Sequence, residues 1–199
     1  MAFWSTIHDD SRIHKDPKRK FRFVVSFNNM DTAAKDAGSE GTVSNELWYA
    51  KTVNKPSFTI NAAEHKYLNH TYYYPGNVTW NEVTLALVDP TDPDVGGSFA
   101  AFIQNSGYLI PGATVEGTST ISKSKAVEAL GTVKVIQLDA DGAPIETWTM
   151  WNCWISDVKF GDLEYGADDL TQIDVTLKYD WAQITAADGA SNFFEVSGA

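Results

Sequence analysis

The side chains that could do chemistry in this 199-residue chain are few in kind: four histidines, one cysteine and an excess of carboxylates. His65 and His70 stand five apart in a stretch that reads as extended, so alternation sends them to opposite faces and a shared metal is not expected. His8 and His14 lie in a polar N-terminal stretch. Cys153 sits inside WNCWI, where a buried, inert thiol is the expectation rather than a nucleophile. A single cysteine also excludes an intramolecular disulfide and a four-cysteine metal site, and fits folding in a reducing compartment. Asp139-x-Asp141-Gly142 begins like a calcium loop, but the twelfth position is Met150 where a bidentate glutamate is needed. A hairpin turn explains it better, since Asp and Gly supply local hydrogen bonds and positive φ. The sequence contains neither a phosphate-cradling Gly-rich loop nor a Gly-x-Ser-x-Gly elbow. No catalytic residue, metal or cofactor is expected, and abundant carboxylates alone do not make a glycosidase.

Trp148, Trp151 and Trp154 recur every third residue, and strand alternation places Trp151 opposite the other two. Aromatics on both faces mean that both are covered. The second cover is a larger core of the same chain, a neighbouring copy, or a sugar stacked on an exposed platform.

Composition narrows the class. The chain is 43% hydrophobic and 13% aromatic, which fits one globular domain with broad sheet faces and argues against disorder. No apolar run is long enough for a membrane span, and Met1–Lys20 contains no stretch of signal-peptide character. The net charge of −11 is unevenly placed. From Ile136 to Ala199 there are twelve acids against Lys159 and Lys178, whereas Arg12, Lys15, Lys18, Arg19, Lys20 and Arg22 cluster before Asn28. Such polarity suits contact between copies, the basic arm of one meeting the acidic face of another.

The elements read mainly as β. Phe21, Phe23, Val25 and Phe27 alternate as the buried face of a strand, so Phe21→Asp is expected to abolish folding. Residues 28–45 read as a long exposed loop, and Glu46–Val53 as one strand. In the stretch from Pro56 to Pro90, Pro75-Gly76 predicts a turn, and a phase slip within Val78–Val88 predicts a β-bulge at Asn81-Glu82. A helix is expected over 98–107, capped by Ser98 and stopped by Gly107, with a weaker helical turn over Lys123–Leu130. Strands follow over Thr132–Leu138, Ile145–Trp151, Cys153–Phe160 and Thr171–Trp181. Residues 182–199 read as a loose tail in which only Phe193-Phe194 could dock. This order fits an antiparallel β-sandwich or barrel with one short α-helix.

Two blocks of wording resemble the tail tube proteins of contractile-tailed bacteriophages. The first is Lys55–Asp89, with HKYLNHTYYYPG and TWNEVTLALVD; the second is Ser124–Trp181, from SKAVEALG through WISDVKFGDLEYGADDLTQIDVTLKYDW. Tube components of secretion and contractile injection machines share that fold. The resemblance implies a tail-tube β-sandwich over 21–181; the basic arm over 1–20, the insertion at 28–45 and the tail over 182–199 depart from the family's plainer members. It also implies hexameric rings stacked into a hollow tube in the phage virion, assembled in the host cytoplasm. Partners would be the chain itself, the sheath, the baseplate and the tail terminator, with genome DNA passing unbound and no membrane involved. Asp174 and Asp180 are candidates for acids facing the lumen, where carboxylates would keep phosphate from adhering. Lys18, Arg19, Lys20, Trp151, Phe193 and Phe194 are candidates for contacts between subunits. A tube initiator, terminator or baseplate tube protein, and a carbohydrate-binding β-sandwich, are the alternatives.

Overall fold

The computed structural model describes residues 17–36, 45–47, 49–92, 94–110, 120–166, 168–186 and 192–194. Two antiparallel sheets share one apolar core. The larger contains β1 (Phe23–Phe27), β2 (Glu46–Leu47), β7 (Val133–Leu138), β8 (Pro144–Trp151), β11 (Trp181–Ala186) and β12 (Asn192–Phe193), in the order β12-β11-β8-β7-β1-β2. The smaller contains β3 (Ala50–Val53), β6 (Val83–Val88), β9 (Trp154–Lys159) and β10 (Gln172–Lys178), in the order β3-β6-β10-β9. Among the described residues, β4 (Phe58–Tyr67) and β5 (His70–Trp80) pair only with each other, as a separate two-stranded ribbon.

Alternation decides what enters the core. Ile173, Val175 and Leu177 of β10 are buried while Asp174 and Lys178 are exposed. Leu85 and Leu87 pair with Val175 and Ile173 from β6. Across from them lie Val25, Phe27, Val133, Val135 and Met150 of the larger sheet. Each such side chain contributes about 1.5–3 kcal/mol on burial.

Several runs that read as single strands are divided between sheets. Glu46–Val53 becomes β2 and β3, in different sheets. Thr171–Trp181 leaves the smaller sheet after Lys178 and enters the larger at Trp181, which pairs with Trp151. The inward alternation of Ile173, Val175, Leu177 and Tyr179 changes phase at the corner, where Ala182 rather than Trp181 is fully buried. β8 and β9 meet at a similar corner, where Asn152 adopts positive φ. The two corners are tied together. The Asp180 carboxylate accepts from Asn152 Nδ2 (2.8 Å), and the Asp180 backbone N–H donates to the Trp151 carbonyl (3.1 Å).

Among the described residues there are three helices where one and a weaker turn were expected: α1 (Met30–Asp36), α2 (Val95–Asn105) and α3 (Lys123–Leu130). α1 arises inside the expected 28–45 loop because Met30, Ala33 and Ala34 form a small buried stripe at i, i+3 and i+4. Residues 37–44 of that segment lie outside the described residues. α2 starts a turn earlier than the 98–107 expectation. Asp94, not Ser98, caps it by accepting from Gly97 N (2.9 Å), and Ser98 is buried with its hydroxyl donating to the Asp94 carbonyl (2.7 Å). Phe99 and Phe102 of α2 pack on Phe27.

Two further expectations are overturned. Phe21 is 73% exposed and precedes β1, so Phe21→Asp buries no charge and does not threaten the core. Residues 181–186, at and beyond the expected domain edge, form β11 between β8 and β12. The small residues that suggested a tail instead allow β11 to lie flat, with Ala182 fully buried.

Candidate interaction surface

The β4–β5 ribbon stands out because its apolar groups are not covered. Every residue of β4 is exposed, as is every residue of β5 except Thr71 and Trp80. Chain reversal occurs at Leu68-Asn69, with Leu68 at φ 51° and 87% exposed, rather than at Pro75-Gly76. Pro75-Gly76 lies within β5 at an irregularity. Ile60 pairs with Val78 and Ala62 with Pro75, so Gly76 and Asn77 together oppose Asn61. A bulge accommodates a proline that cannot donate to the ladder. Gly76 is required by close approach: a Cβ there would sit 2.8 Å from the Asn61 carbonyl oxygen.

Between the bulge and the turn, the hairpin register decides which side chains share a face. There Ala63 pairs with Tyr74, His65 with Tyr72 and Tyr67 with His70. Cross-strand partners lie on the same side. One face of the ribbon therefore carries His65, Tyr67, His70, Tyr72 and Tyr74, and Glu64, Lys66 and Tyr73 lie on the other. The expectation that His65 and His70 face opposite sides fails because the chain turns between them. The His70 and Tyr72 rings meet edge to face at 4.7 Å. Among the described residues, no group of three or more His, Cys, Asp or Glu is placed to hold a metal ion. The predicted bulge at Asn81-Glu82 is a strand break: β5 ends at Trp80, β6 begins at Val83, and Asn81 N donates to the Ser57 carbonyl (2.8 Å).

The ribbon is anchored at its root. Phe58 and Trp80 pair edge to face at 5.2 Å, and the Phe194 ring packs on both, at 5.7 and 5.8 Å. Pro56 is buried, and Lys55 reaches back to the larger sheet. Its Nζ donates to Glu146 Oε1 (2.7 Å) and Gln137 Oε1 (2.6 Å). Glu146 also accepts from Trp148 Nε1 (2.6 Å) and from Lys18 Nζ. Gln137 Nε2 donates to the Arg19 carbonyl (3.2 Å). Burial pushes the Glu146 carboxyl up, but the hydrogen bonds from Lys18, Lys55 and Trp148 outweigh it and hold the carboxyl at about 2.

The candidate residues are dispersed. Lys18 is held by Glu146, while Arg19 and Lys20 are exposed beside it; residues 1–16 of the basic arm lie outside the described residues. Trp151 stacks on Trp181 at 6.3 Å and remains partly exposed. Phe193 is exposed and Phe194 touches its own chain's ribbon. Asp174 lies on the exposed face of β10 and accepts from Gln172 Nε2 (2.9 Å). Asp180 belongs to a clamp: Lys123 Nζ donates to both its oxygens (2.8 and 2.7 Å), and these bonds together with that from Asn152 hold its carboxyl below the usual range. Cys153 is fully buried, which pushes its thiol up to about 12 and leaves it inert. Sequence reading missed Glu146, Gln137 and Lys55, whose meeting depends on tertiary structure. It also missed the ribbon's open faces, although three consecutive tyrosines, Tyr72–Tyr74, cannot all point inward from one strand.

No protein-family model matches the sequence, and no curated protein matches it. Solved structures do match in three dimensions. A chain of the extended sheath-tube complex of an extracellular contractile injection system (PVC) gives a TM-score of 0.60 at 15% identity, covering 90% of this chain and 99% of that one. A chain of the 6-fold symmetrised baseplate of the anti-feeding prophage (AFP) gives 0.58 at 16% identity, covering 87% and 98%. A chain of the PVC sheath/tube terminator gives 0.57 at 14% identity, covering 87% and 99%. This chain therefore has the fold found in the sheath-tube, baseplate and terminator structures of contractile injection systems.

Proposed function

We propose that the chain is a self-assembling tube subunit of a contractile tail. The observation that carries this reading is the uncovered ribbon. An isolated two-stranded hairpin is marginal in water, and this one exposes Ile60, Tyr67, Leu68, Tyr72, Tyr73, Tyr74 and Val78. A second copy of the chain is the cover that the fold's neighbours favour, since they come from sheath-tube, baseplate and terminator assemblies. Six copies would close a ring, and ring-on-ring contacts would repeat without closing, which builds a tube. β9, an edge of the smaller sheet, offers a six-residue open ladder for a lateral neighbour.

In this reading the sheath surrounds the tube, and baseplate and terminator components meet its ends. The particle is a phage tail and the lumen conducts genome DNA. The acidic balance supports the last point: six copies at −11 give roughly −66 per ring, a wall that phosphate does not wet. A second reading, an end component rather than the repeating subunit, draws on the terminator match.

Negative-stain electron microscopy of the concentrated protein tests both. Tubes of indefinite length support the repeating subunit; single rings support the end component; a strictly monomeric particle overturns the assembly reading.

A further inference from the structure

We infer that Glu146 is a positioning residue that locks the N-terminal arm and the root of the ribbon to the larger sheet, fixing the angle at which both segments meet a neighbouring copy. The assembly role rests on the tube reading above; the lock itself does not. Glu146 shares a face of β8 with Trp148 and with Met150, a fully buried core residue, and it pairs with Gln137 on β7 and Ala186 on β11. It is 8% exposed. An apolar residue at this site would stabilise the sheet without the desolvation cost of a buried carboxylate. What the carboxylate adds is a choice of partners. Lys18 comes from the segment before β1 and Lys55 from the link between β3 and β4, so two stretches far apart in sequence end on one group. Gln137 repeats the pattern from the neighbouring strand: its side chain accepts from Lys55 and donates to the Arg19 carbonyl. Lys55 is three residues from the start of the ribbon, and buried Pro56 lies between, so this anchor sets where β4 leaves the body. Replacing the carboxylate with an amide removes the negative charge that both ammonium groups share and one of the two oxygens that accept from them, which loosens both segments together.

The test compares Glu146→Gln with Lys18→Met and Lys55→Met in the full chain, before assembly. Trypsin cleavage after Arg19 and Lys20 reads the arm, and hydrogen exchange at Thr59 and Thr79 reads the ribbon root. Cleavage at an ordered segment tracks the population of its open form. E146Q is expected to raise both by about tenfold or more, while exchange in β7 and β10 holds. K18M is expected to free the arm alone and K55M the root alone, which keeps the test decisive even if E146Q folds poorly. Unchanged cleavage and exchange in E146Q, or in both lysine variants, would overturn the lock. If E146Q frees both segments and the wild type never assembles, the lock stands and the tube reading fails. If the wild type forms tubes and E146Q keeps both segments protected, the tube reading stands and the lock fails.

Discussion

At the scale of single residues, charge is used here mainly for tying segments together. Glu146 gives this a pH signature. Its carboxyl is held at about 2 against an ordinary value of 4.5, so its folded-state value is depressed. The stabilisation is therefore complete above about pH 4.5 and is lost as the pH falls toward 2. With both lysines about half exposed, we expect the contribution to be roughly 1–2 kcal/mol at neutral pH. Urea unfolding should find wild type more stable than E146Q by that amount at pH 7, with the gap narrowing at pH 3; a constant gap would contradict the assignment. Asp180 behaves similarly but is more exposed, so Asp180→Ala should cost about 1 kcal/mol, chiefly through loss of the bond to Asn152. Arg19 and Lys20 are better tests of the basic surface than Lys18. Lys18→Glu would place two carboxylates together, whereas Arg19→Glu with Lys20→Glu should leave the melting temperature within a few degrees and weaken assembly.

At the scale of elements, the ribbon is where local geometry becomes surface chemistry. Gly76 sets the bulge, and between the bulge and the turn the hairpin register puts two histidines and three tyrosines on one face. Gly76→Val should disturb ribbon register while leaving the core melting transition within a few degrees, because the ribbon lies outside the shared core. If tubes form at the wild-type critical concentration in that variant, the ribbon face is not an assembly contact. Phe194 provides a milder test from the other side of the root, where Phe194→Ala should speed exchange at Thr59 and Thr79. Among the helices, Asp94→Ala should cost about 1 kcal/mol as a lost N-cap, read by thermal unfolding.

At the scale of the whole molecule, a well-filled sandwich carries open groups at its margins: a ribbon, a six-residue edge strand and cations at the arm. Among the described residues the apolar core is buried between the two sheets, while the ribbon leaves apolar side chains exposed. Assembly against a charge of −11 per copy should be promoted by moderate salt, which screens like-charge repulsion over distances beyond about 8 Å. Light scattering across ionic strengths reads this directly. Monotonic dissociation with salt would instead mean that attraction between the basic and acidic regions dominates.

The amino-acid order by itself determined the mainly β character, the inward face of β10, the burial of Cys153 and the hairpin at Asp139–Gly142, because each follows from neighbours within a few residues. The resemblance carried in HKYLNHTYYYPG and in the closing strands implied a fold that the solved neighbours share. Tertiary structure alone decided where strands change sheets, since the apolar alternation of the sequence runs on to Trp181 while burial passes to Ala182. It decided that residues 181–186 form a strand within the sheet, because the partner, β8, lies thirty residues away. It decided that Phe21 is outside, before β1 begins, and that His65 and His70 are on one side, since the turn at Leu68-Asn69 resets the phase that spacing predicts. And it brought Lys18, Lys55, Gln137 and Glu146 to one point, a meeting that no local pattern encodes because attraction between charges acts through space and not along the chain.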